Sequence, residues 1–508
     1  MIWLRSCSIT ISFLLTTHLV AAQLPKENAS ADMSPMATMQ HQVEQLSAAV
    51  AQEESALESS QKQIRELRNQ VSELQTKLAA ANGGATSPPA QSEDQEEFAA
   101  LHAEVDRIRE QADLEQSEIA VHEQAKVETE SKFPLKLTGF ILMSTFANTS
   151  GVDVAQSPAI ATGGNGATTF SLRQTVLGLD ARGPHVFGAT SAADVRLDFF
   201  GSAGQSSYAN GGGFARLRTA HAEIDWDHTR TFVEMDRPIV NPNAPTSLTA
   251  IAQPALAWSG NLWNWIPQAG AEHSFDLAGA SRLKMQGAIA DIPDPANPNS
   301  GNQGSSLNAL PGTSLGENSR WPGSEARIAY AHGDQNSGFE VGAGGYFSPH
   351  SEFDINFDAW AATLDFRIPL SSKFEASGSF YRGAALGGLG GGALKDYVYG
   401  EKGQTYFFRP LDDVGGWSQL KARVSERLEF NAAYGLDNLF ANQVRTYLPL
   451  NPNSYQNLAR NSTFFINAIF SPTASTLFSF EVRRIDSSPA LGQHSIADVF
   501  GIAAGYRF

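Results

Sequence analysis

Apolar residues recur along this chain with two different periods, and the period changes near residue 133. From Val43 they keep a three-four spacing, with Val43, Val50, Leu57, Ile64, Val71 and Leu78 on one seam position and Leu46, Leu67, Leu74 and Ala81 on the next. Glu53 and Ser60 interrupt the second position. A repeat of about 3.5 residues with charged flanks ("QKQIRELRNQVSELQTKL") predicts an α-helical coiled coil over 39–81. Its mixture of β-branched and leucine seam residues leaves both two and three strands open. "NGGATSPPAQS" (82–92) breaks the helix, and an acidic second helix over 93–132 carries Phe98, Leu101, Val105 and Ile108 on one stripe.

At "SKFPLKLTGFILMSTFAN" the period falls to two, which is the signature of strands. The alternating segments are 134–147, 168–181, 190–201, 214–226, 229–236, 264–276, 281–291, 324–333, 338–348, 357–369, 373–384, 415–425, 427–437, 461–471, 475–486 and 497–508. Connections after odd-numbered segments are mostly long and rich in Gly, Asn, Pro and Ser (148–167, 237–263, 292–323, 385–414, 438–460), whereas those after even-numbered segments are tight. Long loops at one end, short turns at the other and an even strand number predict an all-β transmembrane barrel of about 16 antiparallel strands over 133–508. A soluble sandwich or propeller has no reason to sort its loops in this way.

Strand parity then assigns faces. In "RLEFNAAYGLD", Leu428, Phe430, Ala432, Tyr434 and Leu436 share one face, and Arg427, Glu429, Asn431 and Asp437 the other. In a transmembrane barrel the apolar face meets lipid and the polar face lines the lumen. In the tail "ADVFGIAAGYRF", Phe500, Ile502, Ala504, Tyr506 and Phe508 fall outside, with Val499 out of phase. Trp226, Trp360, Trp417 and Tyr506 are the expected interfacial aromatics.

Composition adds limits. Past the N-terminus no run approaches the roughly 18 apolar residues of a membrane helix, so spanning by helices is excluded. The start "MIWLRSCSITISFLLTTHLVAAQ" reads as a secretory signal over 1–22, followed by a flexible stretch over 23–38. Cys7, the sole cysteine, falls inside that signal, which removes disulfide and thiolate chemistry from the mature chain. The net charge of -17 is concentrated before residue 134, where acids outnumber bases about two to one, and no basic stripe suggests nucleic acid.

Parity points Arg196, Arg216, Arg218, Lys284, Arg327, Arg367, Lys421, Arg423 and Arg483 into the lumen, faced by Asp198, Asp365, Glu429 and Glu481. Charges of both signs set up a transverse field, and clustered arginines concentrate anions. The same residues equally suit salt-bridge ladders bracing the wall. The stretch "RPIVNPNAPTSLTAIAQPALAWSGNLW" is too apolar for a solvated loop, and folding inward it would narrow the channel through Arg237, Leu248, Ile251, Leu256 and Trp258. The rival placement is a subunit contact; Thr246 or Ser247 is positioned to cap a short helix there. No catalytic order emerges: "GGLGGGALK" lacks the end of a phosphate loop, and His221, Glu223 and Asp225 read as hydrogen-bonded lining rather than a metal set. No cofactor, metal or enzymatic activity is expected.

"FSLRQTVLGLDARG" (170–183) resembles a stretch on the second strand of the trimeric DcaP-like outer-membrane porins, with the phosphate-selective porins as a neighbouring possibility. Phe170, Ser171, Arg173, Gln174, Leu177 and Gly178 coincide, and Val176 replaces a second arginine, which weakens the case for strong anion selectivity. The resemblance implies a homotrimer in outer-membrane lipid, a periplasmic coiled coil and passive uptake of small, often acidic, solutes. The terminal Phe508 resembles the signal read by the barrel assembly machinery. The expected function is therefore a porin for small hydrophilic, organic-acid solutes. The rival is a structural tether, a plugged barrel whose coiled coil reaches toward peptidoglycan.

Overall fold

The computed structural model describes residues 135–201, 213–295, 313–333, 338–352, 355–402, 405–446 and 457–508. The signal, coiled coil, linker and second helix expected before residue 133 lie outside these residues.

The strands, in chain order, are β1 (Leu135–Val152), β2 (Ala161–Ser171), β3 (Val176–Arg182), β4 (Thr190–Gly201), β5 (Phe214–Asp225), β6 (Thr229–Asp236), β7 (Ile266–Asp276), β8 (Ser281–Ala290), β9 (Gly323–His332), β10 (Phe339–Glu352), β11 (Ile355–Pro369), β12 (Phe374–Ala384), β13 (Tyr397–Lys402), β14 (Thr405–Pro410), β15 (Asp412–Ser425), β16 (Leu428–Leu439), β17 (Leu458–Phe470), β18 (Thr476–Pro489) and β19 (Ser495–Arg507). Among the described residues two short α-helices, α1 (Leu315–Ser319) and α2 (Ala441–Thr446), lie in connections. Neighbouring strands pair antiparallel in chain order, and β1 closes the ring against β19, from Phe140 opposite Arg507 to Asn148 opposite Val499.

β2 and β3 follow one another along the same edge of β1, so they form one wall strand broken at 172–175. The ring is thus a closed barrel of 16 strands, each matching one expected segment. β13 and β14 stand apart as a hairpin within the connection 385–411. Closure matters physically, because the ring leaves none of its own strands as an edge with unpaired backbone groups.

The faces follow parity. On β11, Trp360 and Leu364 are exposed outward, while Ala359, Ala361, Thr363 and Asp365 are enclosed. On β16, Phe430 and Tyr434 are outside and Asn431 and Asp437 inside. Phe500, Ile502 and Tyr506 face outward, and Val499 packs inside with Phe146, Ile485 and Ala497.

Three expectations need correction. Strands run further toward the long loops, so the connection 148–167 shrinks to the residues between Val152 and Ala161; Asn148, Ser150 and Asn165 continue the ladder without an apolar face to reveal it. Trp417 is not an interfacial aromatic, since it shares phase with Gln419 and Lys421 and is 1% exposed in the interior. The stretch after β6 contains no helix: the Thr246 N–H donates to Gln419 Oε1 (2.6 Å) and the Ser247 hydroxyl to Glu481 Oε2 (2.5 Å) instead of capping one.

Candidate functional site: the barrel lumen

The connection Arg237–Trp265 folds into the barrel. Its first half, 237–252, runs as a hoop around the inner wall, held at successive strands. The Val240 N–H donates to Glu325 Oε2 on β9 (3.2 Å). Asn467 Nδ2 on β17 donates to the Thr246 carbonyl (2.9 Å), and Glu481 on β18 takes Ser247. Gln174, in the break between β2 and β3, donates from Nε2 to the Thr249 carbonyl (2.9 Å), and its Oε1 accepts the N–H groups of Ile251 (2.7 Å) and Ala252 (3.1 Å). Arg216 on β5 completes the circuit by donating to the Ala252 carbonyl (2.6 Å).

A loop without secondary structure leaves its peptide groups unpaired, and burying them is costly unless side chains supply partners. The polar residues of the wall at this height do so. Of the expected constriction residues, Leu248, Leu256 and Trp258 are buried, Ile251 packs beside Leu142 and Leu248, and Arg237 is partly exposed at the start of the hoop.

The second half, 253–265, returns near the mouth. Trp258, Trp263 and Trp265 meet edge to face, with centroids 5.6 and 5.4 Å apart. Gly260 lies so close to the Gly416 and Leu436 carbonyls that a β-carbon there would collide with backbone.

Beside the hoop stands a ladder of alternating guanidinium groups and rings. Arg173 lies 4.4 Å from the Phe200 centroid, Arg216 5.9 Å from Phe200 and 5.2 Å from Trp265, and Arg218 5.0 Å from Trp265. Asp198, fully buried, holds Arg216 through Nε (2.8 Å) and Nη2 (3.0 Å). Arg173 is fixed by the carbonyls of Phe199 (3.1 Å) and Gly201 (3.0 Å) and by Gln156 Oε1 (3.1 Å). Guanidinium faces stack on rings while the edges of Arg173 and Arg216 are held by these carbonyl, amide and carboxylate oxygens, so the ladder presents positive charge in fixed positions.

A bulge makes the ladder possible. Arg196 pairs with Thr219 and Leu197 with Leu217, which leaves Arg218 as the extra residue. The bulge turns Arg216 and Arg218 inward along with His221 and Glu223, although the two pairs have opposite parity. His221 then lies between Asp194 (2.9 Å) and Asp236 (3.2 Å), and Glu223 accepts from Arg230 (3.0 Å).

The remaining expected residues also face inward, mostly in pairs. Arg327 bonds Asp365 through Nε (2.8 Å) and Nη2 (2.6 Å), Glu340 (2.9 Å) and Gln286 (2.8 Å), and Lys284 joins at Glu340 (2.8 Å). Arg327 and Asp365 are 2% and 1% exposed, beneath the surface of the lumen. Arg483 bonds Glu481 and the Pro158 carbonyl (2.7 Å). Arg196 meets Asp180 and Asp194, Arg367 and Arg423 approach Glu375 (3.8 and 3.9 Å), and Lys421 approaches Glu429 (3.9 Å).

Sequence reasoning used Arg173 and Gln174 only as a resemblance and missed their placement. The strand break sends two consecutive side chains inward, Arg173 to the ladder and Gln174 to the hoop. The polar pair amid apolar neighbours in "FSLRQTVLG" was the available signal.

No protein-family model matches the chain, and no curated protein sequence does. Among solved structures it is similar to the outer membrane channel DcaP of Acinetobacter baumannii, with a TM-score of 0.55 and 15% identity over 75% of this chain and 99% of that one. The two share a barrel fold. Looser similarity extends to an anion-selective porin from Comamonas acidovorans (TM-score 0.46, 9% identity, 74% of this chain and 100% of that one) and to OprB of Pseudomonas putida (0.44, 10%, 74% and 94%).

Proposed function

We propose that this chain is an outer-membrane porin that admits small hydrophilic organic anions by diffusion. The observation that carries the reading is the arginine ladder beside the hoop: Arg173, Arg216 and Arg218 are stacked on Phe200 and Trp265, with Asp198 as the carboxylate bonded among them. A low-dielectric wall amplifies such a charge excess, and fixed donors replace part of an anion's hydration. In this reading Arg237 extends the cationic side, and Arg196, Lys284, Arg367, Lys421 and Arg423 line the wider part of the path. The enclosed Arg327, Asp365 and Arg483 brace the wall. Leu248 and Ile251 of the hoop, with Leu256 and Trp258 of the returning half, set the size limit by filling part of the lumen.

The outward band of Phe, Leu, Ile and Tyr residues supports placement in lipid, and the likeness to DcaP supports a channel rather than a tether. We also read the protein as a homotrimer with its coiled coil in the periplasm, delivered to the assembly machinery through Phe508.

Planar-bilayer recording on the purified protein tests the function. Ohmic steps, a reversal potential in a KCl gradient displaced toward chloride, and current noise on adding a dicarboxylate are expected. A reconstituted protein that passes no current overturns the proposal.

A further inference from the structure

The glycine-rich run that follows β12 does not leave the barrel. Residues 385–396 form a lobe in its mouth, built on two 3₁₀ turns, Gly387–Leu389 and Gly392–Leu394. Leu386 and Leu389 pack with Leu262, Ile292 and Tyr346, and Ala393 and Leu394 with Trp263, Leu439 and Leu458. Ala385 (φ 56°), Ala393 (φ 43°) and Leu394 (φ 71°) adopt the left-handed region, which side-chain-bearing residues take only under constraint. Strain of this kind persists where surrounding contacts enforce it, and here those contacts include buried charge.

Asp396 is 1% exposed. Its Oδ1 accepts the Gly387 N–H (2.6 Å), and its Oδ2 has no hydrogen-bond partner among the described residues and stands 4.0 Å from His350 Nδ1. Lys395 donates to two carbonyls, Ala393 (2.8 Å) and Leu458 (2.6 Å), rather than to a carboxylate. Beneath them Asp413 and Asp437 accept the N–H groups of Gly392 (2.9 Å) and Ala393 (3.3 Å). The charged and titratable groups around Asp396 are His350 and Tyr346 on β10 and Asp294 in the connection after β8, with Glu325 on β9 facing Tyr346. Those around Lys395 are Asp413 on β15 and Asp437 on β16, with Tyr381 of β12 against both.

We propose that the 385–396 lobe is a gate at the mouth of the pore, latched inward through Asp396 and Lys395 and released by a change of pH. The proposal rests on the porin reading above. In the latched lobe burial pushes the Asp396 carboxyl up from 3.8 to about 7 and the Lys395 amine down from 10.5 to about 7. At Asp396 the latched state therefore holds one more proton than a solvated lobe between about pH 4 and 7, and raising the pH favours release. Above about pH 7 it holds one fewer at Lys395, and raising the pH favours latching. Opening is thus greatest near neutrality and falls on both sides.

Single-channel recording of the full chain from pH 5 to 9, at fixed salt, tests this. Open probability is expected to rise toward pH 7 and fall beyond it, by up to about tenfold per pH unit on each limb. Asp396→Asn flattens the acid limb alone and Lys395→Met the alkaline limb alone. Replacing 387–394 by Gly-Ser-Gly gives a channel open throughout. Heat-modifiable gel migration confirms that each variant forms its barrel. Conductance independent of pH, or limbs that survive both single substitutions, overturns the gate. Absence of current in every protein, the shortened lobe included, overturns the porin reading and the gate with it.

Discussion

Gly139 and Phe508 exchange two backbone hydrogen bonds, N–H to carbonyl in each direction at 3.0 Å, and the Phe508 ring covers the space that a side chain at residue 139 would occupy. The last residue is thereby docked against the first strand at the barrel seam. Gly139→Leu removes that seat, and destabilisation of about 1–3 kcal/mol by overpacking is expected, read as a lower temperature of conversion to the heat-denatured gel band. Pairing it with Phe508→Ala should return part of the loss, because the two side chains compete for one site. Strictly additive losses would contradict this packing.

Gln174 makes four hydrogen bonds, to Ser144, Thr249, Ile251 and Ala252, and three of them hold the hoop. Gln174→Leu leaves two buried N–H groups and a carbonyl of the hoop without partners, at about 1–3 kcal/mol each. The hoop should detach locally, giving larger and noisier single-channel conductance with the barrel intact. An unchanged conductance would show that other contacts suffice.

Arg218 stacks on Trp265 as the residue displaced by the bulge in β5. Arg218→Gln keeps the length and polarity but removes the charge. The reversal potential in a KCl gradient should move toward zero, while Arg218→Lys should retain most of the selectivity. A glutamine variant as selective as the parent protein would place the filter elsewhere.

Arg327 serves Asp365, Glu340 and Gln286 from a site 2% exposed. Arg327→Met strands a buried carboxylate and should cost about 3–5 kcal/mol in urea unfolding. Adding Asp365→Leu removes the uncompensated charge and should recover much of that loss. If the double variant is no more stable than the single one, Asp365 is not the group left stranded.

The wall was legible because strand parity is local. Lipid on one face and water on the other impose period two residue by residue, and the seam needs only the register that this alternation fixes. That is why Phe430 and Tyr434 could be sent outward and Asn431 inward from sequence. Trp417 was misplaced because an aromatic near a strand end suits an interfacial girdle as well as an interior site, and its phase with Gln419 was the better guide.

The candidate site was harder to read, because its partners are remote. Ser247 meets Glu481 across 234 residues, and Asn467 meets Thr246 across 221. Nothing local distinguishes a glutamate that lines water from one that holds a loop. The bulge at Arg218 shifts phase within a strand without a glycine or proline to mark it. The lobe at 385–396 was glycine-rich in sequence, but its buried charges are defined only by the walls around it.

The sequence by itself determined the strand number, the inward and outward faces and the end that carries the long connections, since each follows from periodicity and spacing along the chain. Only the tertiary structure decided that the connection after β6 lines the lumen, that three arginines stack into one ladder and that the glycine-rich lobe sits in the mouth. These depend on which polar groups meet when the ring closes. Satisfying buried peptide groups is a condition on the whole barrel, not on any stretch of it.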